Sequence, residues 1–156
     1  VLATRATIKA GSYTKKIQSL LPDAEVLTQA CPLFVPLAEE GWFDDPVTNL
    51  IAFRYLQKLK AADVDTVVMG CTHYPLLKNS IRKVFGNYVN LIDSGEAIAM
   101  ELKEDFAKNR LVPAGDNDST ITIALTDASE HFENLSNELL CSVMNSEIRF
   151  ETVSVI

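Results

Sequence analysis

Apolar residues recur at two different spacings along the chain. The run Thr66–Met69 is continuous, of strand length and rich in β-branched side chains, which is typical of a parallel strand buried on both faces. After Asp45 and Pro46, which suit a helix N-cap and a first helical position, apolar residues return every three or four positions. They are Val47, Leu50, Ile51 and Tyr55, with Leu56 and Leu59 widening the same face. This spacing predicts a helix that buries that face.

The remaining segments continue this alternation of strands and helices. Further strands are predicted at the stub Leu2–Thr4 and at 25–28, 89–92, 120–125 and 148–155. Further helices are predicted at 12–21 (Ser12 as N-cap candidate), 76–85 and 96–106, and Phe132, Leu135 and Leu139 share another helical face. Residues 112–119, rich in Pro, Gly, Asp and Asn, predict a linker. The order predicts an α/β fold with a mainly parallel sheet and flanking helices.

The composition is that of an ordinary soluble globular domain. Of the 156 residues, 47% are hydrophobic and 22% are charged, so a core can be buried. The net charge of −7, without a Lys/Arg stripe, argues against nucleic-acid binding, and no apolar run approaches the roughly 18–20 residues of a membrane span. The start Val1–Arg5 does not resemble a signal peptide. Because the first residue is not Met, we expect a truncated or processed chain.

The three cysteines are Cys31, Cys71 and Cys141. An odd number at wide spacing predicts no disulfide framework, and the absence of a C-x-x-C pair predicts no zinc site. Reduced thiols in a cytoplasmic protein are the simplest interpretation. Cys31 is interpreted as structural, Cys141 as a core residue and His131 as a surface residue.

Cys71 has the most suggestive surroundings of the three. It follows the strand Thr66–Met69, and open α/β sheets bind ligands at the carboxyl ends of their strands. Gly70 permits a sharp turn, and Cys71, Thr72 and His73 bring together a thiol, a hydroxyl and an imidazole. Spacing alone leaves two interpretations open, since a buried cysteine at a strand end is more often a small core residue than a catalytic one. His73 could equally be a satisfied polar residue.

Two runs of sequence carry a resemblance to a known family. Gly70-Cys71-Thr72-His73-Tyr74-Pro75-Leu76-Leu77 is similar to a signature of the glutamate racemases, and so is Cys31-Pro32-Leu33-Phe34-Val35-Pro36-Leu37-Ala38-Glu39-Glu40-Gly41. Ala3–Ile8 precedes them and Leu91–Gly95 follows them in the family's order, before a terminal strand–helix–strand. These landmarks cover essentially the whole chain. It therefore resembles the carboxyl-terminal part of a glutamate racemase, in the aspartate/glutamate racemase family.

The resemblance implies a cofactor-independent, metal-free isomerase that interconverts L- and D-glutamate and supplies D-glutamate for peptidoglycan. Two cysteines on opposite faces of the substrate exchange the Cα proton, one removing it as thiolate and the other returning one as thiol. Cys71 matches the second of this pair. The other matched positions are Glu39 as a carboxylate near the site, Thr72 and His73 as residues that bind substrate or assist Cys71, and Thr4 and Thr7 near the substrate's polar groups. Glu39 with Glu40 could instead be a solvated helix end, and Thr4 with Thr7 could be strand-edge caps.

The resemblance also implies parts that this sequence lacks. A complete glutamate racemase has an amino-terminal segment with an Asp-Ser-Gly turn, a Pro-Tyr-Gly turn and an Ala-Cys-Asn-Thr motif holding the first catalytic cysteine. Asp93-Ser94-Gly95 copies the first of these in letters, but its position predicts a helix N-cap. Residues 1–92 would form most of the second racemase domain, with its first strand truncated, and 93–156 would be the returning segment that completes the first. Unpaired edges and exposed apolar surface predict association, including homo-oligomers.

Three hypotheses from different functional classes follow. The leading one is a glutamate racemase fragment that binds glutamate and is inactive alone. The alternative is a non-catalytic interaction module derived from a racemase, for which Cys71 would be dispensable. The weakest is a hydrolase built on Cys71 and His73, because the sequence shows no third residue that orients the imidazole.

Overall fold

A computed structural model describes residues 1–111, 120–127, 129–141 and 147–154. The chain divides into two compact units, Val1–Arg110 and Leu111–Ile156. The predicted linker 112–119 lies outside the described residues. The predicted assignment of 1–92 and 93–156 to two racemase domains stays a prediction.

Among the described residues, the larger unit holds a four-stranded sheet. Its strands are β1 (Leu2–Ala3), β2 (Gln29–Ala30), β3 (Thr66–Met69) and β4 (Asn90–Asp93). The order is β2-β1-β3-β4, and every pairing is parallel. Leu2 pairs with Gln29 on one side and with Met69 on the other. The carboxyl ends of all four strands therefore lie along one edge.

Helices follow each of these strands. They are α1 (Arg5–Ala10) and α2 (Ser12–Leu20) after β1, α3 (Phe34–Glu39) and α4 (Pro46–Ala61) after β2, a 3₁₀ turn (Tyr74–Leu77) and α5 (Lys78–Phe85) after β3, and α6 (Ser94–Ala107) after β4. The predicted α/β class, with a mainly parallel sheet and flanking helices, is confirmed. Within the described ranges, no helix is long and apolar enough to span a membrane.

Two predicted helix caps are confirmed and one is wrong. The Asp45 carboxylate accepts the N–H of Val47 at 2.7 Å, and Pro46 is the first residue of α4. The Asp93 carboxylate accepts the N–H of Glu96 at 2.6 Å and caps α6. Ser12, by contrast, is already helical, because Gly11 at φ 65° occupies the cap and ends α1 as well.

The buried face of α4 differs from the predicted one. Its buried residues are Thr48, Ala52, Leu56 and Leu59, with Ile51 and Tyr55 packed against the core beside them. Val47 and Leu50 are exposed. Thr48 is buried because its hydroxyl donates to the Trp42 carbonyl at 2.7 Å, which satisfies its polar group.

Other differences concern short elements. The strand predicted at 25–28 lies instead at Gln29–Ala30, because the parallel register pairs β1 with these two residues. The helices α1 and α3, of six residues each, were not among the predicted helices, although the alternative interpretation of Glu39 as a helix end agrees with its position at the end of α3. Both are too short to show a helical period, so tertiary packing decides their conformation.

The core of the larger unit joins the sheet to its helices. Leu2, Val67 and Met69 from the strands are buried together with residues of α3, α4, α5 and the 3₁₀ turn. The rings of Phe34 and Tyr74 meet edge to face with centroids 5.2 Å apart, and Phe34 meets Tyr55 in the same way at 5.5 Å. These aromatic contacts tie the segments after β2 and β3 to each other.

The smaller unit contains the terminal strand–helix–strand that the sequence predicts. Its elements are β5 (Thr120–Leu125), α7 (Glu130–Cys141) and β6 (Glu147–Thr152). β5 and β6 are parallel, in register from Thr120 with Glu147 to Leu125 with Thr152. The last strand was predicted at 148–155; it ends at Thr152, and Val155 lies outside the described residues.

Candidate active site

The carboxyl edge of the sheet gathers the residues that the sequence singled out. Thr4 follows β1, Cys31 follows β2, Cys71 comes two residues after β3, and Asp93 ends β4. Leu2 of β1 pairs with Met69 of β3, so Thr4 and Cys71 each lie two residues beyond one parallel pair. The central strands therefore bring Thr4 and Cys71 to the same stretch of the edge.

The turn before Cys71 needs a glycine. The Gly70 N–H donates to the Leu2 carbonyl at 2.8 Å, which continues the β1–β3 ladder by one bond. A Cβ at position 70 would stand 2.9 Å from a ring carbon of Tyr13 and 3.2 Å from the Leu2 oxygen. Close approach of a neighbouring ring and strand, more than backbone freedom, thus selects glycine here.

Cys71, His73 and Glu39 form a consecutive series of polar contacts. The Cys71 Sγ lies 4.0 Å from His73 Nδ1, and the other imidazole nitrogen, Nε2, lies 3.5 Å from the Glu39 carboxylate. Cys71 is partly exposed with a free thiol, and Glu39 ends α3. A carboxylate beside one nitrogen favours a proton there, which leaves the nitrogen that faces the thiol able to accept one.

Thr72 adds a hydroxyl to the same loop. Its Oγ1 lies 3.4 Å from His73 Nδ1, so the thiol and this hydroxyl approach the same imidazole nitrogen. Thr72 is exposed, and its hydroxyl can turn towards a ligand instead. The structure thus brings together four of the predicted site residues, Cys71, Thr72, His73 and Glu39.

Thr4 and Thr7 lie together at the start of α1. Thr4 caps the helix, its Oγ1 accepting the N–H of Thr7 at 3.3 Å, and the two hydroxyl oxygens are 3.0 Å apart. Thr4 is therefore a helix N-cap and Thr7 a residue of the same helix, which differs from the alternative interpretation of both as strand-edge caps. Their role towards a substrate stays a prediction.

Cys31 is chemically different from Cys71. Its side chain is fully buried, and burial raises the pKa of its thiol to about 12. The Sγ lies 3.7 Å from the Gln29 carbonyl, to which a thiol can donate. A thiol kept protonated and out of solvent suits the predicted structural role. Cys141 and His131 lie where the structure does not describe side chains.

Two further residues near this edge were missed by the sequence analysis. The Tyr74 hydroxyl is buried and donates to the Cys31 carbonyl at 2.9 Å, and burial raises the pKa of this phenol well above its usual range. The Lys78 ammonium lies 2.9 Å from Glu96 and 3.5 Å from Asp93, and the pKa of Lys78 is raised by the hydrogen bond to Glu96. For Tyr74, its place next to His73 in the chain could have indicated a role near the site; for Lys78 there was no comparable indication in the sequence.

The class of protein follows from the fold and the site together. The larger unit is a parallel α/β domain in which a thiol, an imidazole and a carboxylate are in contact at the carboxyl edge of the sheet. Among the described residues, no group of three or more His, Cys, Asp or Glu side chains could hold a metal ion. Residues 1–102 match the family model described as Asp/Glu/Hydantoin racemase. The chain belongs to that family.

Individual relatives agree with this assignment. The chain is 42% identical over 140 residues to a glutamate racemase of Geobacter metallireducens, a match that covers 90% of this chain and 52% of that protein. It also resembles the crystal structure of glutamate racemase from Francisella tularensis in complex with D-glutamate, with a TM-score of 0.81 at 30% identity, over 98% of this chain and 56% of that one. The enzyme of Thermus thermophilus, in complex with β-chloro-D-alanine, matches with a TM-score of 0.74 at 33% identity, over 99% of this chain and 55% of that one. The chain spans about half the length of the curated relatives it matches.

Proposed function

We propose that these 156 residues supply one half of the active site of a glutamate racemase, with Cys71 as one of its two proton-transfer groups. The observation that supports this is the contact series Cys71–His73–Glu39 at the carboxyl edge of the sheet. Many curated relatives are glutamate racemases, and one solved relative carries D-glutamate. We propose glutamate as the substrate on these grounds, and synthesis of D-glutamate for peptidoglycan in the cytoplasm as the role.

The reaction needs a base and an acid on opposite faces of the Cα carbon. In one direction the Cys71 thiolate removes the Cα proton and becomes a thiol, leaving a carbanion whose charge is delocalised into the carboxylate. A second thiol, on the opposite face, donates its proton to Cα and becomes a thiolate. In the reverse direction Cys71 is the donor. No cofactor takes part, so binding and proton transfer rest on protein groups alone.

His73 and Glu39 have separate tasks in this scheme. The imidazole nitrogen that faces Cys71 accepts the thiol proton and releases it to solvent water, so that the Cys71 thiolate is regenerated between turnovers. The Glu39 carboxylate orients the imidazole through its other nitrogen, in the manner in which a carboxylate orients a catalytic histidine elsewhere. Thr72, Thr4 and Thr7 offer hydroxyl groups to the polar ends of the substrate.

The second thiol is not supplied by Cys31. That thiol is fully buried and its pKa is raised to about 12, so it cannot exchange protons rapidly with a substrate near neutral pH. The family resemblance assigns the opposite face to a cysteine in an Ala-Cys-Asn-Thr motif, which does not occur in these 156 residues. We therefore expect the purified chain alone to leave L-glutamate optically active.

A chimera tests the proposal directly. The aligned part of the chain, 140 residues, would replace the corresponding region of the Geobacter metallireducens glutamate racemase. Racemisation of L-glutamate would be followed by circular dichroism. We expect activity that is lost in Cys71→Ala. The matched control is Cys31→Ala, which alters the other described cysteine and is expected to retain activity. An active chimera that tolerates Cys71→Ala would refute the proposed role.

A further inference from the structure

Tyr74 makes hydrogen bonds to both loops of the candidate site, the loop after β3 and the loop after β2. It follows His73 in the chain, and its N–H donates to the Cys71 carbonyl at 3.1 Å. Its hydroxyl donates to the Cys31 carbonyl at 2.9 Å, 43 residues away in the sequence. Tyr74 and Cys31 are both fully buried, so the bond between them is shielded from water. One side chain thus connects the loop after β3 to the loop after β2.

The Cys31 backbone forms the turn that leads into α3. Its N–H donates to the Ala3 carbonyl at 3.0 Å, and its carbonyl also accepts the N–H of Phe34, the first residue of α3, at 3.1 Å. α3 has no side-chain cap at its start. Besides the buried side chains of Leu37 and Ala38, the position of this six-residue helix depends on that turn and on the Phe34 ring, which packs edge to face on Tyr74.

The far end of α3 carries Glu39. Its carboxylate reaches His73 at 3.5 Å, and both side chains of this pair are partly exposed to solvent. Exposed ion pairs are weak and do not hold two elements in place by themselves. Some buried contact must therefore fix the distance between α3 and the His73 loop.

We propose that Tyr74 is a positioning residue of this site, whose hydroxyl, by holding the Cys31 carbonyl, sets where Glu39 stands relative to His73. The inference rests on the proposed function, since positioning matters only if the imidazole serves Cys71. Loss of the hydroxyl would leave the ring and its packing in place. It would remove the one bond from the tyrosine to the turn that starts α3.

The first test is independent of activity. The chain has two histidines, so the imidazole signals of His73 can be assigned by NMR and His131 serves as an internal reference. Tyr74→Phe and Glu39→Gln are each expected to shift the His73 signals, and the double variant should shift them no further than Glu39→Gln alone. Tyr55→Phe is the comparison variant, because the Tyr55 hydroxyl accepts a long bond of 3.4 Å from the Leu33 N–H in the same turn but does not bond the Cys31 carbonyl. It should leave the His73 signals unchanged.

The second test uses the active chimera. Displacing a catalytic group by a fraction of an ångström to an ångström lowers rates by roughly tenfold to a hundredfold, so Tyr74→Phe is expected to lower kcat by about tenfold with little change in KM. In the Glu39→Gln background the same substitution should have almost no further effect. Losses that multiply in the double variant would overturn the proposal. So would a melting temperature of Tyr74→Phe far below that of Tyr55→Phe, since the hydroxyl would then serve folding in general.

The two proposals fail in different ways. Unchanged His73 signals in Tyr74→Phe, together with an active chimera that needs Cys71, would refute the positioning role and leave the racemase function standing. Coupled His73 signals with a chimera that tolerates Cys71→Ala would refute the function and leave the geometric link intact.

Discussion

Truncation of Leu56 tests the observed orientation of α4. Leu56 is 0% exposed and lies in the core, whereas Leu50, on the same helix, is 59% exposed. Leu56→Ala and Leu50→Ala are chemically identical changes within one helix, so helix propensity cancels between them. Their difference in unfolding free energy therefore reports burial alone.

The expected magnitudes follow from the atoms removed. Each buried CH₂-sized group contributes about 0.8 kcal/mol, and Leu→Ala deletes three such groups, which with the cavity left behind gives about 3 kcal/mol for Leu56. More than half of Leu50 is already in water, so its truncation should cost less than about 1 kcal/mol. The Leu56 variant should then unfold at a urea concentration lower by roughly 1–2 M.

Tryptophan fluorescence during urea unfolding measures both values. Trp42 is the single tryptophan of the chain, and its carbonyl accepts the hydroxyl of Thr48 from the buried face of α4, so its signal reports the larger unit. Equal destabilisation by the two substitutions would refute the observed orientation. It would favour the face predicted from sequence spacing, on which Leu50 is buried.

Three further predictions concern the ends of the strands. Iodoacetamide at pH 8 should alkylate Cys71 well before Cys31, which is buried with its pKa raised to about 12; peptide mass spectrometry with equal rates at the two would contradict this. Because the pKa of Cys31 is higher in the folded chain than its ordinary value of 9.0, unfolding free energy should fall as pH rises above 9, by up to about 1.4 kcal/mol per pH unit. The fall should be shallower in Cys31→Ala; an unchanged slope would exclude Cys31 as its source. Asp93→Ala should cost about 1 kcal/mol in thermal unfolding through the lost cap on Glu96, whereas Asp93→Asn, which can still accept that bond, should cost much less.

The sequence predicts the larger elements and the site loop well. Thr66–Met69 is a parallel strand as expected, but it is not buried on both faces: Val67 and Met69 are buried, whereas Thr66 is exposed and Val68 only partly buried. Asp45 and Asp93 cap their helices, because a cap depends on one side chain and the next three residues. The spacing also placed His73 close to Cys71 in sequence but left open whether the two side chains face each other; in the structure they do, at 4.0 Å. Such features are local, so the local sequence determines them.

Features that depend on distant residues could not be predicted in this way. The approach of Glu39 to His73 joins positions 34 residues apart, and no period or motif in the sequence specifies their distance. Val47 and Leu50 continue an apolar pattern but lie outside the core, because Thr48 turns inward to bond the Trp42 carbonyl. A polar residue whose hydrogen bond is satisfied inside the protein can be buried, so the spacing of apolar residues alone does not identify the buried face of a helix.

The close fit of Gly70 against Tyr13 has a consequence for sequence variation. A methyl group at position 70 would be forced against the Tyr13 ring and the Leu2 oxygen, so an alanine there would displace the very backbone that carries the thiol. Position 70 can gain a side chain only if position 13 becomes smaller and the neighbouring strand yields. The two positions are therefore expected to co-vary among homologous chains, and a library randomised at both should recover Gly70 with Tyr13, or a larger residue at 70 only beside a smaller one at 13.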